Sequence, residues 1–188
     1  MLVSLEVAVA GSATYQYFRY TPTKLRNGAS ASTVQLSELQ LYNGGTRISG
    51  ATASNPGGNN PGNEGPERAV DGSRSTKWLD FNQNPLVLNY GSAITIDNYR
   101  WATANDATER DPIRWTLEGS ANGTTWTLID DRSDADQSVT TNREAYLANM
   151  DLNQIPDTPV VTFSVSAGGV TSDEAVGLQN GQSALLDW

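Results

Sequence analysis

The sequence predicts an all-β protein, an antiparallel β-sandwich followed by a C-terminal extension. Hydrophobic residues make up 37% of the chain, and its 17 glycines and 8 prolines favour a turn-rich fold over a helical one. Short segments of alternating or aromatic-rich sequence recur between turn signals such as Asn43-Gly44-Gly45. Short strands at this spacing are typical of a sandwich or jelly roll. A length of 188 residues fits one domain with an extension, or at most two small domains.

The alternation of side chains predicts where the strands lie along the chain. We expect strands near residues 2–9, 14–21, 34–42, 85–90, 94–104, 113–119, 125–130 and 158–166. A short helical turn is expected at 64–70, because Pro66 suits the first position of such a turn. Beyond residue 150 the composition changes to a proline-containing connector and then to a polar tail. We therefore predict a sandwich over residues 1–150 and, over 151–188, a connector and arm that could dock on a partner.

The predicted third strand changes phase in its middle. Val34 and Leu36 share one face, whereas Leu39 and Leu41 share the other. Such a slip indicates a bulge, or a strand whose two ends pack in different layers. It places the Glu38 carboxylate where it could turn toward a loop. The alternative is an ordinary exposed glutamate on a strand.

Charge and residue usage exclude several classes of function. A net charge of −9 and a pI near 4.3 argue against nucleic-acid binding and disfavour anionic membrane surfaces. The absence of cysteine and histidine removes disulfides, thiolate metal sites and His-based nucleophile pairs. The N-terminal segment alternates and carries Glu6, which favours a strand over a signal peptide. No apolar run reaches the ~20 residues of a membrane span, so we expect a soluble chain with no export signal.

The segment around Asp71 has the composition of a cation-binding loop. Asp71 and Gly72 place a carboxylate beside a residue that tolerates a left-handed turn, and Thr76 adds a hydroxyl. Such a loop can direct these oxygens and several main-chain carbonyls at one centre, with Trp78 as an apolar anchor. Oxygen-only coordination of this kind suits a hard cation such as Ca²⁺. The alternative is an Asp-Gly turn beside a buried tryptophan, and the spacing alone leaves both open.

Four segments together resemble the discoidin superfamily, also called coagulation factor V/VIII type C domains, and its galactose-binding-like carbohydrate-binding relatives. The segments are AVDGSRSTKW at 69–78, LVLNYG at 86–91, DPIRWTLEGS at 111–120 and NGTTW at 122–126. They follow the family's order over roughly residues 50–130. The resemblance implies a discoidin-like jelly roll, an extracellular location and a binding rather than a catalytic role. Because no export signal is visible in the sequence, a virion protein released by lysis would reconcile this location with the sequence.

One departure from the family pattern implies a circular permutation. Family members usually end with a segment similar to YFRY at 17–20 and VQLSELQLY at 34–42, but here both come first. Permutation is physically easy when the ends of a sandwich lie close together. It implies that Glu38 lies beside Asp71 in space, although the two are far apart in sequence.

The resemblance also implies the ligands of a structural calcium site. It would use the carboxylates of Asp71 and Glu38, the Thr76 hydroxyl, and main-chain carbonyls near Arg68 and Ser73. The ion would fasten the end of the Asn-, Gly- and Pro-rich loop at 54–67.

Carbohydrate-binding relatives hold sugars on loops at one end of the sandwich, and loops 80–84 and 103–111 correspond here. Their candidate ligand-binding residues are Phe81 for stacking and Asn82, Asn84, Asn105, Asp106 and Arg110 for hydroxyl groups. The alternative for each is a solvated loop or a turn-capping residue, and Arg110 and Asp111 could simply form a structural ion pair. The expected core consists of Trp78, Trp101, Trp115, Trp126, Leu39, Leu41, Leu86, Leu88, Ile96 and Leu117.

Two non-enzymatic functions remain open. Asp80, Asp106, Glu109 and Asp111 are too weak a pattern for a hydrolytic carboxylate pair, and phosphate-loop and hydrolase motifs are missing. The first candidate is an attachment protein of an extracellular assembly such as a phage virion, oligomeric within it and docked through the arm. The alternative is a calcium-stabilised, lectin-like module that binds surface glycan.

Overall fold

The computed structural model describes residues 11–28, 31–153, 160–167 and 170–177, and these form an all-β fold. The predicted strand at 2–9 lies outside the described residues. The strands are β1 Ala13–Leu25, β2 Val34–Leu36, β3 Glu38–Asn43, β4 Thr46–Ile48, β5 Thr52–Ser54, β6 Trp78–Asp80, β7 Leu86–Ile96, β8 Asn98–Ala102, β9 Pro112–Ser120, β10 Thr127–Arg132, β11 Met150–Asp151, β12 Val160–Ala167 and β13 Val170–Gly177. The predicted helical turn is a 3₁₀ segment at Pro66–Ala69. Among the described residues, no helix has the length and hydrophobicity needed to cross a membrane.

Two antiparallel sheets enclose one hydrophobic core. The larger sheet has the order β10-β9-β1-β7-β5 and the smaller one β11-β8-β3-β4, and a short β2-β6 pair lies at the loops. Trp101 of the smaller sheet meets Trp115 of the larger one edge-to-face, with 5.7 Å between the ring centroids. The predicted antiparallel β-sandwich is therefore confirmed.

Most of the predicted core is buried, with one exception. Three of the four predicted tryptophans, at 78, 101 and 115, are 0–1% exposed, and the predicted leucines and Ile96 are buried with them. Trp126 is only partly buried, so its assignment to the core is wrong. It follows the turn that leads into β10, and the Arg19 guanidinium lies 4.4 Å from its ring centroid.

The predicted slip near Glu38 is a break between two strands in different sheets. Residues 34–36 form β2, which pairs with β6, whereas β3 starts at Glu38 and pairs with β4 and β8. Elsewhere two predicted strands merge: β7 runs unbroken from 86 to 96, because β1 pairs with both of its halves across a bulge between Tyr15 and Tyr17. The break falls instead at Asp97, before β8.

The start of β1 and the end of β11, the first and last strands of the two sheets, both lie beside the turn between β7 and β8. Ala13 pairs with Ile96, and Asp151 pairs with Asn98. Leu152, 1% exposed, still belongs to the core. Farther along, β12 and β13 pair as a hairpin, and β13 occupies a stretch predicted only as a polar segment. The division into 1–150 and 151–188 stays a prediction.

Candidate functional site

The loop after the 3₁₀ segment gathers three of the predicted cation ligands. Gly72 adopts a φ of 84°, the left-handed turn that the Asp-Gly pair predicts. The Thr76 hydroxyl lies 2.8 Å and 3.0 Å from the two Asp71 carboxylate oxygens and 3.0 Å from the Ser73 carbonyl. Trp78, 0% exposed, anchors the end of this loop in the core. Two carboxylate oxygens and one carbonyl oxygen therefore lie within 3.0 Å of the Thr76 hydroxyl.

Glu38 lies directly beneath this loop, as the family resemblance implies. Its side chain is 0% exposed, which rules out an ordinary surface glutamate. One carboxylate oxygen accepts the Gly72 N–H at 2.7 Å, and the other accepts from Gln40 at 3.1 Å and from Arg47 at 3.2 Å. Burial raises the pKa of Glu38, and the charge of Asp71 adds to that rise, while Gln40, Gly72 and Arg47 oppose it.

The oxygen atoms gathered here are suitable ligands for a hard cation, which this site would bind with modest affinity. Ca²⁺ takes oxygen ligands at about 2.3–2.6 Å, and neighbouring ligands of such an ion then lie about 3 Å apart. The Thr76 hydroxyl lies at this distance from both the Asp71 carboxylate and the Ser73 carbonyl. A carboxylate has about four acceptor positions, and Glu38 uses three. Within the described ranges, no three His, Cys, Asp or Glu side chains cluster to hold a metal. The Arg68 guanidinium also contacts Asp71 at 3.4 Å, so any ion here depends largely on neutral oxygens.

The loop at 80–84 is held by a buried carboxylate. Asp80 is 0% exposed and accepts the backbone N–H groups of Asn59 at 2.6 Å, Asn82 at 3.2 Å and Asn84 at 2.6 Å. The Asn82 side chain is engaged with the Gly57 carbonyl at 2.9 Å. Phe81, between them, leaves 49% of its surface exposed. Of the three candidates in this loop, Phe81 is therefore the most available to a ligand.

The loop at 103–111 presents a second group of candidates. The Asp106 carboxylate lies 2.7 Å from the Lys77 ammonium. Burial acts to raise the pKa of Asp106, but hydrogen bonds from Lys77 and Gln35 outweigh it and lower that pKa. The Arg110 guanidinium has its nearest carboxylate, among the described residues, at Glu109, 3.9 Å away.

Asp111 does not pair with its neighbour in sequence. Its carboxylate is 0% exposed and binds the guanidinium groups of Arg26 and Arg143. The alternative of a structural ion pair between Arg110 and Asp111 therefore does not hold, and the Arg110 guanidinium is not bound by Asp111. Asn105, in the same loop, is exposed.

Strand β2 joins the two loops at one end of the sandwich. Val34 pairs with Asp80, while the Gln35 side chain donates to the Asp106 carbonyl at 2.7 Å. Sequence reasoning missed the anchoring role of Asp80, although a loop Asp commonly accepts the backbone N–H two residues on, as Asp80 does from Asn82. Asp80 and Asp111 thus serve as loop anchors.

The comparison with known proteins agrees with the motifs in the sequence. No curated protein and no solved structure matches this chain. A family profile described as F5/8 type C domain matches residues 50–180, which includes the cation loop, both ligand-loop candidates and the β12–β13 hairpin. Domains of this family are generally non-catalytic modules that bind carbohydrates or lipids, and they are typically extracellular. Because the match spans more than half of the 188 residues, the chain belongs to the F5/8 type C (discoidin) domain family.

Proposed function

We propose that this chain is a lectin-like module that binds carbohydrate through loops 80–84 and 103–111. The observation that carries the proposal is Phe81, which is 49% exposed in a loop fixed by the buried Asp80 carboxylate. A rigid, exposed aromatic face can stack on the apolar face of a sugar ring with little loss of conformational entropy. Arg110 and Asn105, in the neighbouring loop, supply donors for hydroxyl groups.

A glycan array tests this site. We expect Phe81→Ala and Arg110→Gln each to weaken binding of the glycans that the unmodified protein selects by roughly tenfold, about 1.4 kcal/mol. Leu128→Ala is the matched control, because Leu128 is the other exposed large hydrophobic residue among those described and lies on β10. Equal losses at Phe81 and Leu128, or no glycan bound by the unmodified protein, would contradict the proposal.

We also propose that the loop at Asp71 holds a structural Ca²⁺ ion. The carboxylates of Asp71 and Glu38 and the Thr76 hydroxyl would be its ligands, and main-chain carbonyls near Arg68 and Ser73 would complete the shell. The short distances from the Thr76 hydroxyl to the Asp71 carboxylate and the Ser73 carbonyl, together with the buried Glu38 carboxylate, support the proposal. The ion would supply positive charge to two carboxylates and fasten the loop. We expect weak affinity, on the order of 10⁻⁴–10⁻³ M, because the site has few charged ligands.

Thermal unfolding with and without calcium tests this site. Ca²⁺ at about 100 times its Kd should add ~2.7 kcal/mol of stability if it binds only the folded chain. That corresponds to a rise of roughly 5–10 °C in Tm for a domain of this size. Asp71→Asn and Glu38→Gln should abolish the rise, whereas Asp136→Asn, a change far from the loop in sequence, should keep it. A Tm insensitive to Ca²⁺ in the unmodified protein would exclude the ion.

Attachment to an assembly such as a phage virion is a second candidate. The observation that favours it is the β12–β13 hairpin, a ladder from Val160↔Gly177 to Ala167↔Val170 that follows the connector. In this role the chain beyond residue 153 would lie on a neighbouring subunit, because Asp151 and Leu152 belong to the sandwich. A variant lacking residues 154–188 should then fail an assembly pull-down while its sandwich remains folded. Unchanged glycan binding by the same variant would favour the lectin-like role.

A further inference from the structure

Two arginines stand apart from the other cations of this acidic chain. All twelve lysine and arginine side chains lie in the described ranges, and ten of them have a carboxylate within 3.9 Å. Among the side chains that the structure describes, none provides such a partner for Arg74 or Arg100. Because the chain has 21 acidic residues, unpaired arginines call for a physical explanation.

The guanidinium groups of both arginines make cation–π contacts with one aromatic ring. The Arg100 guanidinium carbon lies 4.0 Å from the ring centroid of Tyr146, and that of Arg74 lies 5.4 Å from it. Tyr146 is held in place because its backbone bridges to Ala102 at the end of β8. Arg74 is held by one hydrogen bond of 2.7 Å from its Nη1 to the Glu144 carbonyl. Two guanidinium groups are therefore concentrated at one point of the surface.

Gln40 fixes the orientation of this group. Its side chain is 3% exposed and makes four hydrogen bonds. The amide nitrogen donates to the Tyr146 hydroxyl at 2.6 Å and to Glu38 at 3.1 Å. The amide oxygen accepts from Arg100 Nε at 3.1 Å and from the Tyr42 hydroxyl at 2.7 Å. Since the Tyr146 oxygen accepts, its own hydrogen remains free, as do the Nη groups of Arg100 with respect to the described residues.

We propose that Arg74, Arg100 and Tyr146 form a binding site for the carboxylate of an acidic sugar. Guanidinium groups bind carboxylates with strong, geometrically specific hydrogen bonds, and the Tyr146 hydroxyl adds one more donor. Burial and Glu38 raise the pKa of Tyr146, against the opposing charges of three arginines, so the hydroxyl keeps its proton at neutral pH. The site uses none of the residues of the Phe81 loop, and it rests on the chain being a glycan-binding module.

An acidic sugar fits this site better than an anionic membrane. Phe81 and Leu128 are the exposed large hydrophobic residues among those described, and neither belongs to the site, so it has no apolar group to enter a bilayer. An extended anionic surface also repels a chain of net charge −9. A single carboxylate experiences mainly the local guanidinium groups, because salt screens charges beyond about 8 Å at physiological ionic strength.

Matched oligosaccharides test the inference on the full chain by calorimetric titration. Trigalacturonic acid and galactotriose differ chiefly in carboxylate versus hydroxymethyl groups, and we expect the acidic trisaccharide to bind at least about tenfold more tightly at physiological ionic strength. Arg74→Gln and Arg100→Gln should each remove most of that preference. Arg114→Gln is the control, because Asp136 already neutralises Arg114. Arg74→Gln also guards against misfolding, since Arg74 lies on an exposed loop, whereas Arg100 contacts the buried Gln40.

The outcomes separate this inference from the proposed function. Equal affinity for both trisaccharides, or a preference that survives both substitutions, would overturn the site and leave the Phe81 loop untouched. Failure to bind any oligosaccharide, charged or neutral, would overturn both. Binding to phosphatidylserine vesicles, lost in the two arginine variants and without binding to trigalacturonic acid, would replace the sugar by a lipid headgroup and refute the inference as stated.

Discussion

Replacing Trp115 with alanine is expected to lower the free energy of unfolding by about 3–5 kcal/mol. Its side chain is 1% exposed and packs 5.7 Å from Trp101 and 6.0 Å from Tyr20, between ring centroids. Its Nε1 donates to the Tyr99 hydroxyl at 2.6 Å, and that hydroxyl donates to Asp130. The substitution therefore opens a cavity between the sheets and removes a donor from a buried network. Urea unfolding followed by circular dichroism measures the change.

Trp126→Ala is the matched control for this experiment. Trp126 is only partly buried, and its stacking with Arg19 at 4.4 Å is a surface cation–π contact. We expect a loss of about 1 kcal/mol, because such contacts and a part-exposed ring contribute far less than a buried one. If both substitutions lower the free energy of unfolding equally, Trp115 does not lie in the core and Trp126 outside it, as the structure has them.

Asp111→Ala should lower the free energy of unfolding by roughly 3 kcal/mol, nearly as much as Trp115→Ala. The carboxylate is 0% exposed and accepts hydrogen bonds from both Arg26 and Arg143. Its removal leaves two partly buried guanidinium groups without their counterion. Arg26 also holds the carbonyls of Thr108 and Val139, so the loop at 103–111 should loosen as well. Denaturant unfolding reports the stability, and hydrogen exchange reports the loop.

Asp136→Ala separates burial from ion pairing. Asp136 also contacts two cations, Lys24 at 2.8 Å and Arg114, but it lies in solvent. Exposed ion pairs contribute little, because water and salt screen them. We expect the unfolding midpoint of Asp136→Ala to stay within experimental error. Similar losses for both variants would mean that the burial of Asp111 does not matter.

The fold and the position of the cation loop could be predicted because each depends on local patterns. The phase change between Leu36 and Leu39 is a property of side-chain alternation, so it located the break between β2 and β3. The turn at Gly72 depends on one backbone conformation that glycine favours. The expectation that Glu38 lies near Asp71 comes from the family resemblance. A resemblance can indicate which distant residues are neighbours in space, whereas the periodicity of side chains cannot.

The rest depends on contacts between distant segments. Trp126 alternates as a core residue would, but it lies just before β10, the edge strand of the larger sheet, where packing is one-sided. The partners of Asp111 are 85 and 32 residues away in sequence. The adjacent Arg110 therefore gives no indication of which residues bind Asp111. The gathering of Arg74 and Arg100 on Tyr146 likewise joins three separate segments. No sequence spacing encodes it.

The position of β1 has a consequence for the synthesis of the chain. This strand lies in the middle of the larger sheet, between β7 and β9, yet the ribosome makes it first. At about 5–20 residues per second, on the order of 4–14 s pass before β7, the earlier of its two partner strands in sequence, has followed it. Throughout that interval Tyr15, Phe18 and Tyr20 have no sheet to join, and an unpaired aromatic strand readily associates with other nascent chains. Because this sheet closes by pairing distant segments, we expect the newborn chain to need protection from aggregation until β7 is made.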